Sequence, residues 1–313
     1  MTVIEVEVKE FLKKGYNQEE IRMEKAAFIT FELLTILLFV ACFWHAVRQK
    51  NGKTLELIFA FIFGVFLEWM TIQQLEAYHY GEFILMLDGA PICIGLGWAV
   101  IIYSGMEFVK HLEIPDYARP FLVGMLALNL DLAMDVIAIR LGFWNWVIPL
   151  DWQWFGVPWG NFWAWYIVVV SYSGFIYWFR NIYKQRGSAW FRNTYPLFAF
   201  LCAVVILAIT NYVFANVFAE TELVSAMSML LIILAGGVII YVVKPGLKKD
   251  AYVDKVILSV PLTFHAFFTV FGFAGGFYAA LPILGVIGLT MFAVGLGIHL
   301  WPWWRNQRKP YRT

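Results

Sequence analysis

The sequence predicts an all-α fold, a polytopic bundle of about nine transmembrane helices. The chain of 313 residues is 61% hydrophobic and only 14% charged, whereas a soluble domain carries about 25% charged residues. Runs of about 20 mostly apolar residues recur along the chain, and this length crosses the hydrocarbon core of a bilayer. These two features exclude an ordinary soluble domain. The net charge of +1 gives no indication of a nucleic acid partner.

Nine segments meet the criterion for a span, and no linker between them is long enough to separate two domains. They cover residues 27–47, 55–77, 91–109, 120–141, 161–180, 195–218, 222–243, 256–276 and 279–301. We therefore expect a charged N-terminal segment over 1–25, one transmembrane domain over 26–301 and a basic tail over 302–313. Polar groups inside the spans are concentrated in the first half. Residues 55–180 are thus the expected catalytic half, and the helices of 195–301 are the expected scaffold.

Basic residues alternate between the predicted loops. Lys and Arg follow the first, third, fifth, seventh and ninth spans, whereas the loops at 78–90, 142–160, 219–221 and 277–278 contain neither. Because cytoplasmic loops are enriched in Lys and Arg, this pattern predicts a multi-pass protein of the cell membrane with a cytoplasmic C-terminus. The N-terminal segment would then lie outside, although it holds Lys9, Lys13, Lys14, Arg22 and Lys25. An eight-span arrangement would move it to the cytoplasm but would break the alternation elsewhere.

Carboxyl groups inside the predicted spans are the first indication of a functional site. Glu68 lies in the second span, and Asp131 and Asp135 share one face of the fourth at i, i+4. Acids in the membrane are costly and usually mark a function, although they can also serve only as hydrogen bonds between helices. Two acids one turn apart in a low dielectric cannot both ionise cheaply, so one is expected to stay protonated as a general acid. Glu76 and Asp88 are secondary candidates nearer the outer surface.

Tryptophans are concentrated in one segment. Seven of the fifteen fall between Trp144 and Trp165, directly after the helix that carries the two aspartates. Tryptophan belts at the membrane interface are common, but this density, together with Gly156, Pro158 and Gly160, predicts a tightly folded or re-entrant loop. Aromatic faces attract cations and pack flat against apolar chains. We therefore expect part of this cluster to line a substrate site.

The sequence gives no reason to expect a metal or another cofactor. It contains no GxGxxG, P-loop, HExxH or histidine-rich box. Its three cysteines, Cys42, Cys93 and Cys202, lack CxxC spacing. Any oxygen added to a substrate would then come from water.

The segment from Asp131 to Trp165 resembles the CruF-type carotenoid hydratases of bacteria and archaea. The matching pieces are Asp131-x3-Asp135, Gly142-Phe143-Trp144-x-Trp146 and Trp154-Phe155-Gly156-Val157-Pro158-x-x-Asn161-Phe162. Upstream, the family's pattern is also met by Glu68, the triplet Tyr78-His79-Tyr80, Pro91 and Trp98. The resemblance covers about residues 60–180, and the remaining helices match by hydropathy alone.

The resemblance implies a hydro-lyase of carotenoid biosynthesis that needs no cofactor. Members of the family add water across a terminal isoprenoid double bond of an acyclic carotenoid end, as in bisanhydrobacterioruberin, lycopene or γ-carotene, and form a tertiary alcohol. The partners would be the polyene, water, the bilayer and other membrane enzymes of the pathway, not nucleic acid.

The same resemblance implies roles for individual residues. Asp131, Asp135 and Glu68 are the expected catalytic residues: either aspartate would donate the proton, and Glu68 would orient or deprotonate the water. The expected substrate-binding residues are Trp144, Trp146, Trp154, Phe155, Trp159, Asn161, Tyr78, Tyr80 and Trp98.

Two other classes of function stay open. Intramembrane acids are also common in proton-coupled transporters, although this chain has no inverted repeat and its halves differ in polar content. The other class is a non-catalytic, lipid-binding membrane protein.

Overall fold

In a computed structural model, long α-helices form a bundle joined by short turns and strand pairs. The structure describes residues 18–75, 78–218, 221–249 and 251–307. Within these ranges, nine helices are long and apolar enough to cross a membrane, which confirms the predicted polytopic helical bundle. Most of the predicted N-terminal segment and about half of the basic tail lie outside the described residues, and so does Glu76. The cytoplasmic placement of the C-terminus stays a prediction.

The first four long helices form the half of the bundle that carries the acids. They are α1 (Gln18–Gln49), α2 (Lys53–Leu75), α3 (Ile92–Val109) and α4 (Arg119–Ala138). Pro120 lies in the first turn of α4, where its missing N–H leaves no helical hydrogen bond unmade. Nearly every residue of α3 is buried, so this apolar helix is the centre of the core.

The remaining helices complete the bundle around α3 and α4. They are α5 (Trp159–Arg186), α6 (Ala189–Val213), α7 (Glu222–Val243), α8 (Lys255–Ala274), the short α9 (Phe277–Ala280) and α10 (Pro282–Gln307). Ser188 and Asp254 cap α6 and α8 by accepting backbone N–H bonds in their first turns. Only 22% of the spanning segment of α7 and of α10 is buried, as expected of helices that face lipid.

Helices α2 and α3 approach each other closely at two glycines. A Cβ atom built on Gly64 would lie 2.7 Å from the Cβ of Trp98, and one built on Gly95 would lie 2.3 Å from a methyl carbon of Val65. Neither position therefore has room for a side chain. This contact brings the indole of Trp98 next to Glu68, one turn further along α2.

Short strand pairs close the two ends of the bundle. At one end, β1 (Tyr78–Tyr80) pairs antiparallel with β5 (Trp144–Trp146), and β2 (Met86–Leu87) pairs with β3 (Ala90–Pro91). Asp88 and Gly89 form the two-residue turn between β2 and β3, and both have positive φ, as in a type I′ hairpin turn. A third pair joins β4 (Leu112–Glu113) to β6 (Gly246–Leu247).

A buried ionic network ties α2 to α3, α5 and α6, away from the tryptophan segment. Glu56 is 0% exposed and accepts two bonds from Arg180, at 3.0 and 2.6 Å. It also accepts a short bond from the hydroxyl of Tyr195 and one of 3.1 Å from Lys53. Lys53 in turn lies 2.8 Å from Glu107 on α3. The network pairs charges that would otherwise be costly to bury.

Candidate functional site

A cavity of about 90 Å³ lies between α2, α3, α4, α5 and α6, beside the β1–β5 ribbon. Since about 10–15 Å³ holds one water molecule, this volume is enough for several waters or for the narrow end of an apolar chain. Eight of the predicted site residues line it: Glu68, Tyr78, Tyr80, Trp98, Asp135, Trp144, Trp146 and Asn161. The acids of α2 and α4, which are far apart in the sequence, therefore meet at one cavity.

Glu68 is buried in the wall of this cavity and accepts three hydrogen bonds. The hydroxyls of Tyr78 and Tyr80 each donate to its Oε2 atom at 2.6 Å. The indole N–H of Trp98 donates to its Oε1 atom at 2.6 Å. Alternate residues of a strand face the same side, so both tyrosines of β1 reach the same oxygen. Three donors thus fix the position of the carboxyl group.

The two tyrosines act as donors because they stay protonated. Burial, followed by the neighbouring carboxyl group of Glu68, raises the pKa of Tyr78 and Tyr80 well above the usual value. The register of the ribbon places Tyr78 opposite Trp146 and Tyr80 opposite Trp144. The ring centroids of these two pairs are 4.6 and 6.0 Å apart. The ribbon therefore supplies both the donors to Glu68 and part of the aromatic wall.

Asp131 and Asp135 lie on one face of α4 and are both buried. Asn161, in the first turn of α5, donates its Nδ2 to Asp135 at 2.7 Å and to Asp131 at 3.4 Å. The amide of Asn161 thus joins the two carboxyl groups, which lie one helical turn apart. Of the two, only Asp135 lines the cavity, so Asp131 lies behind it.

Three buried polar atoms near the cavity have no hydrogen-bond partner among the described residues. They are the Oδ1 atoms of Asp131 and Asp135 and the indole nitrogen of Trp146. Buried polar atoms without a partner are rare in proteins because each costs free energy. Asp135 and Trp146 both line the cavity, so a water molecule or a ligand there would satisfy them.

Indole rings form the apolar part of the wall. The rings of Trp98 and Trp165 lie against each other at a tilt of 35°, with centroids 4.1 Å apart, and both residues line the cavity. Trp144 and Trp146 contribute from the ribbon. The negative faces of such rings stabilise a positive charge in an apolar site.

Three predicted substrate-binding residues, Trp154, Phe155 and Trp159, lie outside the lining of this cavity. Trp154 donates its indole N–H to the carbonyl of Leu132 at 3.0 Å, and its ring packs against Trp159 at 5.5 Å. Arg140 donates to the carbonyl of Phe155 at 3.0 Å. These bonds hold the loop between β5 and α5 against the second half of α4. Trp154, Phe155 and Trp159 therefore pack beside α4 and not in the cavity wall. The prediction of a tightly folded loop agrees with the positive φ of Gln153, Phe155 and Gly156.

Asp88 is also separate from the cavity. It lies in the hairpin turn and accepts a hydrogen bond of 2.8 Å from the indole of Trp69. It borders an open apolar groove between Phe61, Phe66 and Ile92. This contact gives Asp88 a local structural role.

The cavity also includes residues that were not predicted. Thr71, Trp165, Thr210 and Asn211 line it, together with Phe31 of α1 and Phe264 of α8. Helices α6 and α8, which lie in the predicted scaffold of residues 195–301, therefore also contribute to the lining of the cavity. An amide inside an apolar span, Asn211, was the sequence signal that could have indicated this.

The fold and the site define a class: a multi-pass helical membrane protein with a buried acidic and aromatic cavity. The chain belongs to the family described as Domain of unknown function (DUF7802), which matches residues 1–300. Comparison with curated proteins and with solved structures gives no match. Among the residues that the structure describes, no three His, Cys, Asp or Glu side chains are grouped as ligands for a metal ion. The polar groups that line the cavity are carboxyl, hydroxyl, amide and indole groups.

Proposed function

We propose that this protein is a carotenoid hydratase, which adds water across a terminal isoprenoid double bond of an acyclic carotenoid. One observation carries the proposal: Asp135, with an unpartnered oxygen, lines a buried cavity whose wall also holds Glu68 and several indole rings. The resemblance of Asp131–Trp165 to the CruF-type hydratases supports the same function. Protonation of an alkene needs a buried acid, and the carbocation that forms needs aromatic or anionic neighbours.

Asp135 is the proton donor in this proposal. It transfers its proton to the less substituted carbon of the double bond, and the tertiary carbocation forms on the neighbouring carbon. Asp131 does not line the cavity, but it shares the amide of Asn161 with Asp135. Two carboxyl groups one turn apart cannot both ionise cheaply in a low dielectric, so the negative charge of Asp131 would favour a protonated Asp135. Asp131 is thus a positioning residue.

Glu68 and the indoles stabilise the carbocation. The faces of Trp98 and Trp165 supply cation–π attraction, which is worth up to about 2 kcal/mol in a desolvated site. The carboxyl group of Glu68 is held in place by three donors before the reaction begins, so little reorganisation is needed as charge develops. Glu68 then accepts the proton that is released after water attacks the cation.

A carotenoid suits the size of the cavity and its place in the fold. A long polyene is about as long as the hydrocarbon core is thick, ~30 Å, so its end group can enter from the bilayer. The cavity of about 90 Å³ is too small for the whole polyene. Only the reacting end would enter, and the rest of the chain would stay in lipid.

Expression in a host that accumulates lycopene tests the proposal. Pigment extracts are expected to contain a product that is heavier by one or two waters. Asp135→Asn should abolish this product, while Asp88→Asn, an acid outside the cavity, serves as the matched control. Hydrated product that is unchanged in both Asp135→Asn and Asp131→Asn would exclude acid catalysis by this pair. No pigment change with the wild-type chain, supplied with both lycopene and a fifty-carbon acyclic carotenoid, would favour transport or lipid binding instead.

A further inference from the structure

A second set of polar side chains lines the cavity on helices that do not carry the aspartates. Thr71 on α2 and Thr210 and Asn211 on α6 belong to its lining. Asn211 donates its Nδ2 to Thr71 at 3.3 Å and to Gln74 at 3.2 Å. Thr210 and Asn211 are 2% and 5% exposed. These groups are uncharged, so they are suited to a neutral polar ligand.

The cavity therefore has two polar walls. Helices α4 and α5 pack together and supply Asp135 and Asn161, whereas α2 and α6 pack together and supply Thr71 and Asn211. Glu68 lies on the same face of α2 as Thr71, at i, i+3. We call the side formed by α2 and α6 the second wall. A molecule held by it would have Glu68 beside it and Asp135 on the other wall.

The second wall offers one donor and two acceptors. The amide hydrogens of Asn211 are used by Thr71 and Gln74, which leaves its Oδ1 atom to accept. Thr210 donates its hydroxyl to the carbonyl of Ile206 at 2.8 Å, so its oxygen can accept as well. Thr71 accepts from Asn211 and can donate its own proton. A water molecule bound to all three would keep one lone pair free.

We propose that Thr71, Thr210 and Asn211 form the binding site of the water molecule that becomes the hydroxyl group of the product. This inference rests on the function proposed above and adds positioning residues to it. Asp135 gives its proton to the alkene, whose π electrons form the new C–H bond. The free lone pair of the bound water forms the C–O bond to the cation. The oxygen then loses a proton to Glu68, and proton transfer from Glu68 restores Asp135.

A cation that water does not capture loses a proton again, either directly or after a neighbouring double bond attacks it and closes a ring. Loss from the newly protonated carbon regenerates the substrate, and loss from a neighbouring methyl group gives an isomer with a shifted double bond. In heavy water the isomers carry deuterium from Asp135, and the regenerated substrate carries it when the cation loses the original hydrogen. The ratio of alcohol to deuterated alkene therefore reports on water capture, separately from protonation.

The test measures this ratio in heavy water for membranes that contain the full-length chain and an acyclic carotenoid. Asn211→Leu and Thr71→Val each remove part of the site, and both are expected to lower the ratio about tenfold, the effect of losing one hydrogen bond. Deuterium should still enter the alkene in both variants. Asn216→Leu is the matched control, because Asn216 is exposed and bonds only the carbonyl of Tyr212 among the described residues.

The outcomes separate the two proposals. An unchanged ratio in both variants, with alcohol still formed, would overturn the water site and leave the hydratase intact. A parallel loss of deuterated alkene and alcohol in both would also overturn it, since protonation should not depend on this wall. If the wild-type chain forms neither product, the proposed function fails and the water site fails with it.

Discussion

At the scale of single residues, Glu68 and Asp135 present two differently bonded carboxyl groups to the same cavity. Glu68 accepts three bonds of 2.6 Å from side chains around it. Asp135 accepts one bond of 2.7 Å from Asn161 and keeps its Oδ1 atom without a protein partner. The first arrangement fixes a group in place, and the second leaves an atom that can act on a ligand.

Glu68→Gln tests the fixed group. The glutamine amide would oppose one of the donors Tyr78, Tyr80 or Trp98 with a donor of its own, and it carries no negative charge. We expect the rate of alcohol formation to fall by about 10²-fold, as when a preorganised electrostatic group is removed. Tyr78→Phe removes one donor and should cost only about tenfold. Equal rates for Glu68→Gln and the wild type would contradict a role for this carboxyl group.

Trp98 lies in the cavity wall and Trp154 lies outside it, so replacing each of them by leucine should affect different properties of the protein. Trp98→Leu removes both the bond to Glu68 and a ring of the cavity wall, so the rate of alcohol formation should fall by about tenfold or more. Trp154→Leu removes a bond to the carbonyl of Leu132 outside the cavity. It should lower the thermal midpoint in detergent while the rate per folded protein stays unchanged. A larger rate loss in Trp154→Leu than in Trp98→Leu would refute this assignment.

Some of the site was predictable at this scale, and some was not. The i, i+4 spacing of Asp131 and Asp135 fixes their shared face in any helix, so the sequence indicated this pair. The direction of Trp154 depends on a loop held by Arg140, which local spacing does not encode. The contact of Asn211 with Thr71 joins residues 140 positions apart, and hydropathy alone cannot pair two helices.

At the scale of elements, the helices that carry the site are held together by the buried network around Glu56. Glu56 and Glu107 are near the ends of predicted spans, where an acid usually faces water, so the sequence did not single them out. In the structure both are at most 1% exposed. Their pairing with Arg180 and Lys53 fixes α2 against α3, α5 and α6, and thereby the positions of Glu68 and Trp98.

Arg180→Met tests this network. It leaves the buried charge of Glu56 without its bidentate partner, and we expect a loss of about 3–5 kcal/mol in the free energy of unfolding. The double variant Arg180→Met with Glu56→Met removes both charges and should recover most of the loss. Denaturant unfolding in detergent measures both. A double variant as unstable as the single one would show that the charge pair is not the cause.

His111, in the turn between α3 and β4, predicts a pH dependence of stability. Burial, followed by neighbouring Lys110, lowers the pKa of His111 from 6.5 to about 4. Between these pH values the unfolded chain binds more protons at this residue than the folded chain does. The contribution of the neutral His111 to the free energy of unfolding is therefore fully present above pH 6.5. It is lost as the pH falls towards 4.

The measurement compares the thermal midpoints of wild type and His111→Gln in detergent across this pH range. The difference between them isolates the histidine from the carboxyl groups, which also titrate in acid. We expect the wild type to lose more stability than the variant as the pH falls. A difference that does not change with pH would contradict the assignment.

At the scale of the whole molecule, a long apolar bundle encloses a small cavity with acidic and aromatic groups in its wall. The spans followed from composition and length, because the bilayer requires about 20 apolar residues per helix. The cavity depends on how the helices pack, including the close approach at Gly64 and Gly95.

The most direct test of a hydratase uses water labelled with heavy oxygen. Membranes that contain the wild-type chain, an acyclic carotenoid and the labelled water are incubated, and the pigments are analysed by mass spectrometry. We predict an alcohol whose hydroxyl oxygen carries the label, and no such product with Asp135→Asn. An alcohol without the label, or a labelled alcohol formed equally well by Asp135→Asn, would contradict hydration by this acid.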